Sequence, residues 1–401
     1  MSEKHRGEHL DPADRLNGHP VSNARVLAVR TKLRLLAFYL PQFHPIPEND
    51  LWWGRGFTEW TNVAKAKPLF RGHHQPHLPS DLGFYDLRLP EVRDAQADMA
   101  RSHGISGFCY YHYWFHGRRL LSRPFDEVLA SGRPEFPFCL CWANENWTRT
   151  WDGTDRQVLM PQQHSPEDDR AHFAHLLPAF RDSRYVRVDG RPLFLVYRTE
   201  LLPDPARTAE IWRESAAAAG LGDLYLARVE NFVSDFDPKS IGFDAAVEFA
   251  PDWRALPTAM FRRERWDLWS KVQYRLHLVP RAYLTHRVYA YETLMRRMLA
   301  KPQVPYKRFR AVTPRWDNSP RRASDSVIFR DSTPELYETW LRALTRSTID
   351  TFQGDEQLVF VNAWNEWAEG SHLEPEHLWG RAYLEATARA VESVQASGTL
   401  G

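Results

Sequence analysis

The chain passes from a buried strand into a polar, aromatic loop in the stretch Leu358-Val-Phe-Val-Asn-Ala-Trp-Asn-Glu-Trp-Ala-Glu-Gly-Ser-His-Leu-Glu-Pro375. Its first four residues are continuously apolar, which predicts a strand buried on both faces, as in a parallel sheet. Glu366 and Glu369 follow, flanked by Trp364 and Trp367. Two carboxyl groups between indoles suit a sugar site, because glycosidic cleavage needs one carboxyl group to donate a proton and another to assist displacement. Taken alone, the same motif fits solvated glutamates on a surface loop equally well.

Apolar segments of the same kind recur along the chain, separated by helical patterns. The predicted strands are 33–40, 105–111, 136–142, 192–197, 224–229, 245–249, 309–312 and 358–361. Because parallel strands need such crossovers, this alternation predicts an α/β fold, a single (β/α)8 or TIM barrel, with long insertions after strands 1 and 6. The second insertion spans 253–301. A doubly wound nucleotide-binding sheet is disfavoured, since no Gly-x-Gly-x-x-Gly or Gly-x-x-x-x-Gly-Lys-Ser/Thr follows a predicted strand.

Composition and charge exclude several classes of function. Lys and Arg number 52 and Asp and Glu 51, so no net field favours nucleic acid or an anionic membrane as a partner. No run of 18 apolar residues predicts a membrane span. Residues 1–32 resemble a disordered lead-in without a secretory signal, so a cytoplasmic protein is expected. Residues 33–392 form the predicted catalytic domain and 393–401 a C-terminal tail.

Polar and aromatic residues follow every predicted strand, where (β/α)8 barrels keep their active sites. We therefore predict one cavity that binds an oligo- or polysaccharide and contains Glu366 and Glu369 as the catalytic pair. The candidate substrate-binding residues are Tyr39, Gln42, His44, Trp60, Tyr111, His112, Trp142, Asn144, Glu145, Glu248, Arg315, Trp316, Trp364, Asn365 and Trp367. The alternative for the aromatic members is core packing, and for Glu145 a salt bridge.

Metal and cofactor sites are not predicted. His44, His112 and His372 lie on separate segments without the spacing of metal ligands. Asp235-Phe-Asp237 resembles the Asp-x-Asp that holds a divalent ion in sugar-nucleotide transferases. Acidic residues at this spacing are common in loops, so a solvated turn is the preferred interpretation.

Five blocks of the chain resemble the WbsX family, which is named as glycosyltransferases of surface-polysaccharide clusters. The blocks are Phe38–Pro45, Trp52–Asn62, Gly107–Phe115, Cys141–Trp147 and Trp364–Gly370. That family is similar to glycoside hydrolase family 99, the endo-α-mannosidases and endo-α-mannanases, which are (β/α)8 barrels. The resemblance covers about residues 33–390.

Roles for the two glutamates come from this resemblance. Asn365 to Gly370 matches the Asn-Glu-Trp-x-Glu-Gly segment that carries the catalytic pair of family 99. The resemblance implies that Glu366 deprotonates the sugar 2-hydroxyl, that Glu369 is the acid/base at the leaving oxygen, and that the reaction retains configuration through a 1,2-anhydro sugar. The opening Tyr-Tyr-x-Trp-Tyr block of family 99 is replaced here by Phe38–Phe43, so the pair transfers better than the mannose specificity.

These roles predict different ionisation states and leave three functions open. Glu369 should hold its proton near neutral pH, whereas Glu366 should be ionised and held by donors, with Arg315 a candidate. The leading function is a retaining glycoside hydrolase acting on an α-linkage in a bacterial surface polysaccharide or its lipid-linked precursor. The alternatives are a glycosyltransferase of O-antigen or capsule biosynthesis and an inactive glycan-binding module. The sequence does not specify the sugar.

Overall fold

The eight apolar segments form eight strands that close into a parallel barrel in the computed structural model. They are β1 (Arg34–Tyr39), β2 (Gly107–Phe115), β3 (Phe138–Trp142), β4 (Arg191–Val196), β5 (Tyr225–Glu230), β6 (Ala245–Glu248), β7 (Arg308–Val312) and β8 (Leu358–Val361). Each strand pairs in parallel with the next, and β8 pairs with β1 to close the ring. The structure describes residues 33–149, 154–233, 235–260, 272, 275–276 and 280–397. The predicted TIM barrel is confirmed.

Helices cover the outside of the barrel and return the chain between strands. They are α1 (Pro90–Ser102), α2 (Arg123–Ser131), α3 (Pro166–Arg181), α4 (Pro205–Ala218), α5 (Tyr291–Leu299), α6 (Pro334–Thr351) and α7 (Ala382–Ser397). Several begin with a capping side chain followed by proline: Ser165, Asp204 and Thr333 accept hydrogen bonds from the first turns of α3, α4 and α6. Between β5 and β6 the return is a short 3-10 turn, Pro238–Ile241.

Smaller elements decorate the strand ends. The loop after β1 contains two short helices, Pro47–Trp53 and Glu59–Lys65. Antiparallel pairs join Arg118–Leu120 to β2, Trp147–Arg149 to Thr154–Met160, Arg187–Val188 to β4, and Asn365–Glu366 to Ser371–His372. After β6 come the helix Ala282–Thr285 and the strand Arg287–Ala290, which pairs with Val327–Arg330.

The predicted segments at the two ends of the chain and after β6 are described by the structure only in part or not at all. The predicted lead-in 1–32 lies outside the described residues, as do residues 261–271, 273–274 and 277–279 of the predicted insertion 253–301. Helix α7 runs from Ala382 to Ser397 and so spans the predicted boundary at residue 392. Cys109, Cys139 and Cys141 are buried free thiols. None of the described helices combines the length and apolarity that crossing a bilayer requires.

Burial follows the strand periodicity and decides which side chains reach the barrel interior. β3 and β8 are buried along their whole length because helices cover their outer faces and the barrel core their inner faces. Successive side chains on each strand point alternately inward and toward the helices. Neighbouring residues of one motif are therefore separated into two different environments.

Candidate active site

A cavity of about 610 Å³ lies at the end of the barrel where the strands finish. The C-terminal half of β2 and the segments following β1, β3, β4, β6, β7 and β8 contribute to its wall. Its polar and aromatic lining residues are Gln42, Trp53, Tyr111, Tyr113, Glu145, Asn146, Trp147, Thr148, Tyr197, Arg198, Phe249, Arg321, Arg322, Asn362, Glu366 and Glu369. The position is that of active sites in this fold, and the volume suits a ligand of a few sugar rings.

Three glutamates share one arginine at the wall of this cavity, and we name the four residues the carboxylate cluster. Nη2 of Arg321 lies 3.0 Å from Oε2 of Glu59 and also contacts Oε1 of Glu366. Nη1 of the same guanidinium lies 2.8 Å from Oε1 of Glu369. Glu59 is the first residue of its helix and is 1% exposed. Three carboxyl groups around one guanidinium cannot all be ionised without an excess of negative charge.

Burial shifts the titration of both glutamates of the predicted pair. It raises the pKa of Glu366 to about 8; the nearby carboxyl groups of Glu369 and Glu59 add to this effect, while Arg321 opposes it. Burial likewise raises the pKa of Glu369 against the influence of Arg321. The raised pKa of Glu369 agrees with its expected state. The expectation that Glu366 is ionised is wrong, because a group with a pKa of about 8 keeps its proton at neutral pH.

The loop after β8 is fixed by contacts on both sides of the pair. Asn365 accepts a hydrogen bond from the Leu40 backbone N–H at 2.7 Å and donates to the Leu40 carbonyl at 3.1 Å, which ties this loop to the end of β1. The Asp317 backbone N–H donates to the Glu369 carbonyl at 2.6 Å. Gly370 has φ +60°, and a Cβ there would lie 3.0 Å from the Asp317 nitrogen. Glycine thus permits the close approach that positions Glu369.

Aromatic rings form another part of the cavity wall. Tyr111 stacks on Phe38 with ring centroids 5.5 Å apart. Tyr113 accepts a hydrogen bond from the Gln42 amide at 2.9 Å and packs edge-on against Trp147 at 5.2 Å. Such rings provide flat apolar surfaces beside hydroxyl and amide groups, which suits the faces and hydroxyls of a sugar.

A second charged group lies on the wall that follows β3 and β4. The Arg198 guanidinium contacts Oε1 of Glu145 and also Oε1 of Glu200. Burial raises the pKa of Glu145, while Arg198 opposes the shift. Asn144 does not enter the cavity lining; its side chain both donates to and accepts from the Arg198 backbone at 2.8 Å. It therefore holds the β3 and β4 loops together.

The structure brings together five of the predicted site residues in the cavity: Gln42, Tyr111, Glu145, Glu366 and Glu369. Strand alternation explains why four others point toward the helices. Tyr39 donates to Gln96 of α1 at 2.7 Å, and His112 contacts His172 of α3 at 3.0 Å. Trp142 packs against His172 and Trp212.

The fourth residue is Glu248, which is fully buried and pairs with Lys301 at 2.8 Å and Arg310 at 2.9 Å. Tyr39, His112, Trp142 and Glu248 are therefore corrections to the predicted lining. Their motifs were assigned to one environment, although the period of two along a strand places alternate side chains outside the barrel.

Further predicted residues support the loops without lining the cavity. His44 is buried, which lowers its pKa to about 4. The Trp60 indole donates to the Tyr85 carbonyl at 2.8 Å. Arg315 pairs with Glu376 at 2.7 Å and is not the donor to Glu366; Arg321 has that place. These three assignments are corrected in the same sense.

The remaining four tryptophan and asparagine candidates also pack inside the protein. Trp316 is 2% exposed and lies edge-on to Trp253 at 5.1 Å. Trp364 is fully buried, and Trp367 donates to Glu374 at 2.6 Å. Asn365 is the loop staple described above. The indoles beside the glutamates thus shape the loop and do not line the cavity.

Sequence reasoning missed both charged partners of the pair. Glu59 lies in the quoted Trp52–Asn62 block, but only the neighbouring Trp60 was selected. Arg321 and Arg322 lie in a loop after β7 that carries no periodic signal. One signal for a cation is present, because two neighbouring buried carboxyl groups require one; the cation is Arg321 and not the predicted Arg315, which lies earlier in the same loop. The other polar and aromatic lining residues that were not among the predicted site residues are Trp53, Tyr113, Asn146, Trp147, Thr148, Tyr197, Arg198, Phe249 and Asn362.

Metal-binding geometry is lacking in the described ranges, where no group of three or more His, Cys, Asp or Glu side chains could hold an ion. The Asp235-Phe-Asp237 segment is used in local contacts. Asp237 accepts from the Lys239 backbone N–H at 3.0 Å, and Asp235 pairs with Arg254 at 2.9 Å. The segment therefore forms a turn that Asp237 caps, where a solvated turn was predicted.

Comparisons with known proteins give one family and one fold. The model of the family described as "Glycosyltransferase WbsX" matches residues 35–387. Two relatives in Xanthomonas campestris pv. campestris, strains B100 and ATCC 33913, are each called "Uncharacterized protein WxcX" and are 44% identical over 374 residues. The match covers 93% of this chain and 52% of the relatives, so the chain spans about half of their length.

Solved structures with a similar fold include a family GH99 endo-alpha-mannosidase of Bacteroides thetaiotaomicron. It has a TM-score of 0.54 at 14% identity and covers 92% of this chain and 99% of the mannosidase chain. A protein described as "Glycoside hydrolase-like protein" has a TM-score of 0.54 at 14% identity, covering 93% and 97%. At such low identity the likeness concerns the fold alone.

Proposed function

The chain belongs to the WbsX glycosyltransferase family, and from that premise we propose that it is a carbohydrate-active enzyme of the retaining glycoside hydrolase type. Its proposed substrate is an α-linkage in a bacterial surface polysaccharide or in the precursor of one. The observation that carries the proposal is the pairing of Glu366 and Glu369 with a single guanidinium at the cavity wall. Because both carboxyl groups contact one guanidinium, they lie close enough together to act on one sugar residue.

The first step of the proposed reaction uses the two glutamates in different ways. Glu366 removes the proton of the sugar 2-hydroxyl, and the resulting oxygen attacks the anomeric carbon to form a 1,2-anhydro sugar. Glu369 donates its proton to the departing oxygen, so the glycosidic bond breaks without release of an alkoxide. In the second step Glu369 takes a proton from water, which opens the three-membered ring while Glu366 returns its proton to the 2-oxygen.

The raised pKa values support this division of labour. A base that must deprotonate a hydroxyl group is more effective when its conjugate acid is weak, and the pKa of Glu366 is raised to about 8. The raised pKa of Glu369 keeps a proton available for the leaving oxygen. The reacting form of the pair holds one proton, on Glu369, and it becomes more populated as pH rises toward the pKa of Glu366. Arg321 bridges both groups and supplies the counter-charge for the ionised one.

A glycosyltransferase is the second candidate, and the family description favours it. The same two steps would build a linkage if a sugar hydroxyl replaced water in the second step. The cavity of about 610 Å³ has room for such an acceptor, and Trp53, Trp147 and Tyr197 are among its lining residues. Against a metal-dependent transferase, Asp235 and Asp237 are engaged in an ion pair and a turn. An inactive glycan-binding module is the third possibility.

Two activity assays and one binding measurement on the purified chain separate the three candidate functions. A hydrolase releases sugar from α-linked oligosaccharides in water and needs no activated donor. A transferase consumes a nucleotide sugar only when an acceptor saccharide is present. A binding module binds saccharides in calorimetry with no turnover in either assay. Absence of both turnover and saccharide binding would contradict the proposal.

A further inference from the structure

The arginines of the cavity differ in how completely they are neutralised. Arg198 is paired with two glutamates, and Arg321 with the three of the carboxylate cluster. Arg322 also lines the cavity and is half-buried. Within the described part of the chain, its guanidinium has no ion pair and no hydrogen bond. A half-buried cation without a partner costs desolvation energy that a ligand can recover.

The turn that carries Arg322 is held from several directions. The Arg322 backbone N–H donates to the Ser319 carbonyl at 3.3 Å, and the Ser319 N–H donates to Asp317 at 2.9 Å. Asn318 accepts from the Val327 backbone N–H at 2.8 Å. These bonds fix where the Arg322 side chain leaves the backbone. Its position is therefore set by the fold rather than by a charged neighbour.

Arg322 also lies beside the reacting end of the cavity. Its charge is one of those that lower the pKa of the Glu369 carboxyl group. Arg321, the residue before it, is fully committed to the carboxylate cluster. The two consecutive arginines thus differ in role. Arg321 balances the charge of the protein's own carboxyl groups, whereas Arg322 faces the space that a substrate would fill.

We propose that Arg322 binds an anionic group of the saccharide, so that the substrate of this cavity is an acidic glycan. This inference rests on the proposed function, which it deepens by naming the substrate class. A guanidinium presents a planar fork of donors that matches a carboxylate or a phosphate in a bidentate way, whereas neutral hydroxyls leave its charge uncompensated. The anion is a carboxylate of a uronic acid or a phosphate ester on the sugar, and the two share this recognition chemistry.

The test compares matched substrates with Arg322→Gln. The substrates are α-linked uronate oligosaccharides, the same oligosaccharides after carboxyl reduction, and the corresponding sugar phosphates. We expect kcat/KM on the acidic form to fall about 10- to 100-fold, mainly through KM, since a charge-assisted hydrogen bond is lost. The loss on the carboxyl-reduced form should be at least tenfold smaller. Arg322→Lys should recover part of the affinity, because it keeps the charge without the fork.

Controls keep the outcomes distinct. Arg207→Gln, on the surface of α4 and outside the cavity lining, should change neither rate. Calorimetric titration with the same saccharides follows binding independently of turnover, and a melting curve shows that Arg322→Gln is folded. A loss confined to the sugar phosphates identifies phosphate as the anion. Equal losses on acidic and reduced forms overturn the role of Arg322 but leave the proposed function standing. Failure of the unsubstituted protein to bind or convert any saccharide overturns both.

Discussion

The loop after β8 contains two acidic regions only a few residues apart, and their surroundings differ. The carboxylate cluster places Glu366 and Glu369 at the cavity wall around Arg321. We name the second region the loop anchor; it consists of Glu374 and Glu376 with their partners. Glu374 accepts hydrogen bonds from Tyr85, Gln96 and Trp367 at 2.6–2.7 Å, and Glu376 pairs with Arg315 at 2.7 Å and with His74 at 2.7 Å.

The comparison shows that burial and raised pKa alone do not identify a reacting carboxyl group. Burial raises the pKa of Glu374 to about 7, comparable to the shift of Glu366, although Glu374 is closed in by protein donors. The two regions differ in access to the cavity and in charge balance. In the loop anchor, protein groups bind both carboxylates. In the carboxylate cluster, three carboxyl groups surround one guanidinium at the wall of the cavity.

The largest expected effect is on catalysis, and it distinguishes Glu366 from Glu369 within the carboxylate cluster. Glu366→Gln should lose activity about 10²–10⁴-fold on every substrate, because proton abstraction from the 2-hydroxyl is needed whatever group departs. Glu369→Gln should lose as much on natural glycans but retain rate on aryl glycosides and glycosyl fluorides, which need little protonation. Steady-state rates on both substrate types measure this. Equal residual rates of the two variants on an activated substrate would refute the roles.

The next prediction concerns the free energy of unfolding, which should change in opposite directions when an acid of each region is replaced. Glu376→Gln leaves Arg315 without its ionised partner in a buried place, so the free energy of unfolding should fall by about 3–5 kcal/mol. Glu366→Gln should raise the free energy of unfolding near pH 8. Thermal or denaturant unfolding of both variants at two pH values checks the difference, and a destabilised Glu366→Gln at pH 8 would contradict it.

The sign of the pH effect follows from the pKa directions. Folding raises the pKa of Glu366 above its usual value near 4.5, so stability contributed by the protonated group is lost as pH rises from there through about 8. Arg315 and the nearby histidines lower the pKa of Glu376 despite its burial, so its contribution is present above pH 4.5 and is lost on acidification. The benefit of Glu366→Gln should therefore shrink toward pH 4.

A smaller effect tests the third acid of the cluster. Glu59→Gln removes a negative charge that helps to raise the pKa of Glu366. The pH at which activity rises with ionisation of Glu366 should consequently move down by about one unit. A pH–rate profile of kcat/KM measures the shift. Glu167→Gln, an exposed residue of α3, is the matched control and should leave the profile in place. An unmoved profile in Glu59→Gln would show that Glu59 serves only to hold Arg321.

The sequence predicted the barrel because eight buried strands with helical returns are a repeated, local signal. It predicted Glu366 and Glu369 because they follow the last strand directly. The lining was harder, since Tyr111 and His112 are adjacent in one motif yet face opposite sides of β2. The role of Arg321 could not be predicted for another reason. Its side chain contacts Glu366 and Glu59, which are separated from it by 45 and 262 positions in the sequence. Local patterns carry no information on such pairings.

The smallest expected effect concerns the glycine that fits the cluster's loop into place. Gly370 and Gly380 both have positive φ, +60° and +52°, so alanine at either site costs roughly 1–2 kcal/mol of backbone strain. A Cβ at Gly380 would meet nothing within 4 Å, whereas at Gly370 it would meet Asp317 at 3.0–3.3 Å. Gly370→Ala should therefore be the less stable variant, and it should also lower kcat because Glu369 is bonded to Asp317 through its carbonyl. Gly380→Ala should lose stability with kcat unchanged. If both variants kept full kcat, the Asp317 contact would not position Glu369, and the cluster would depend on Arg321 alone for its geometry.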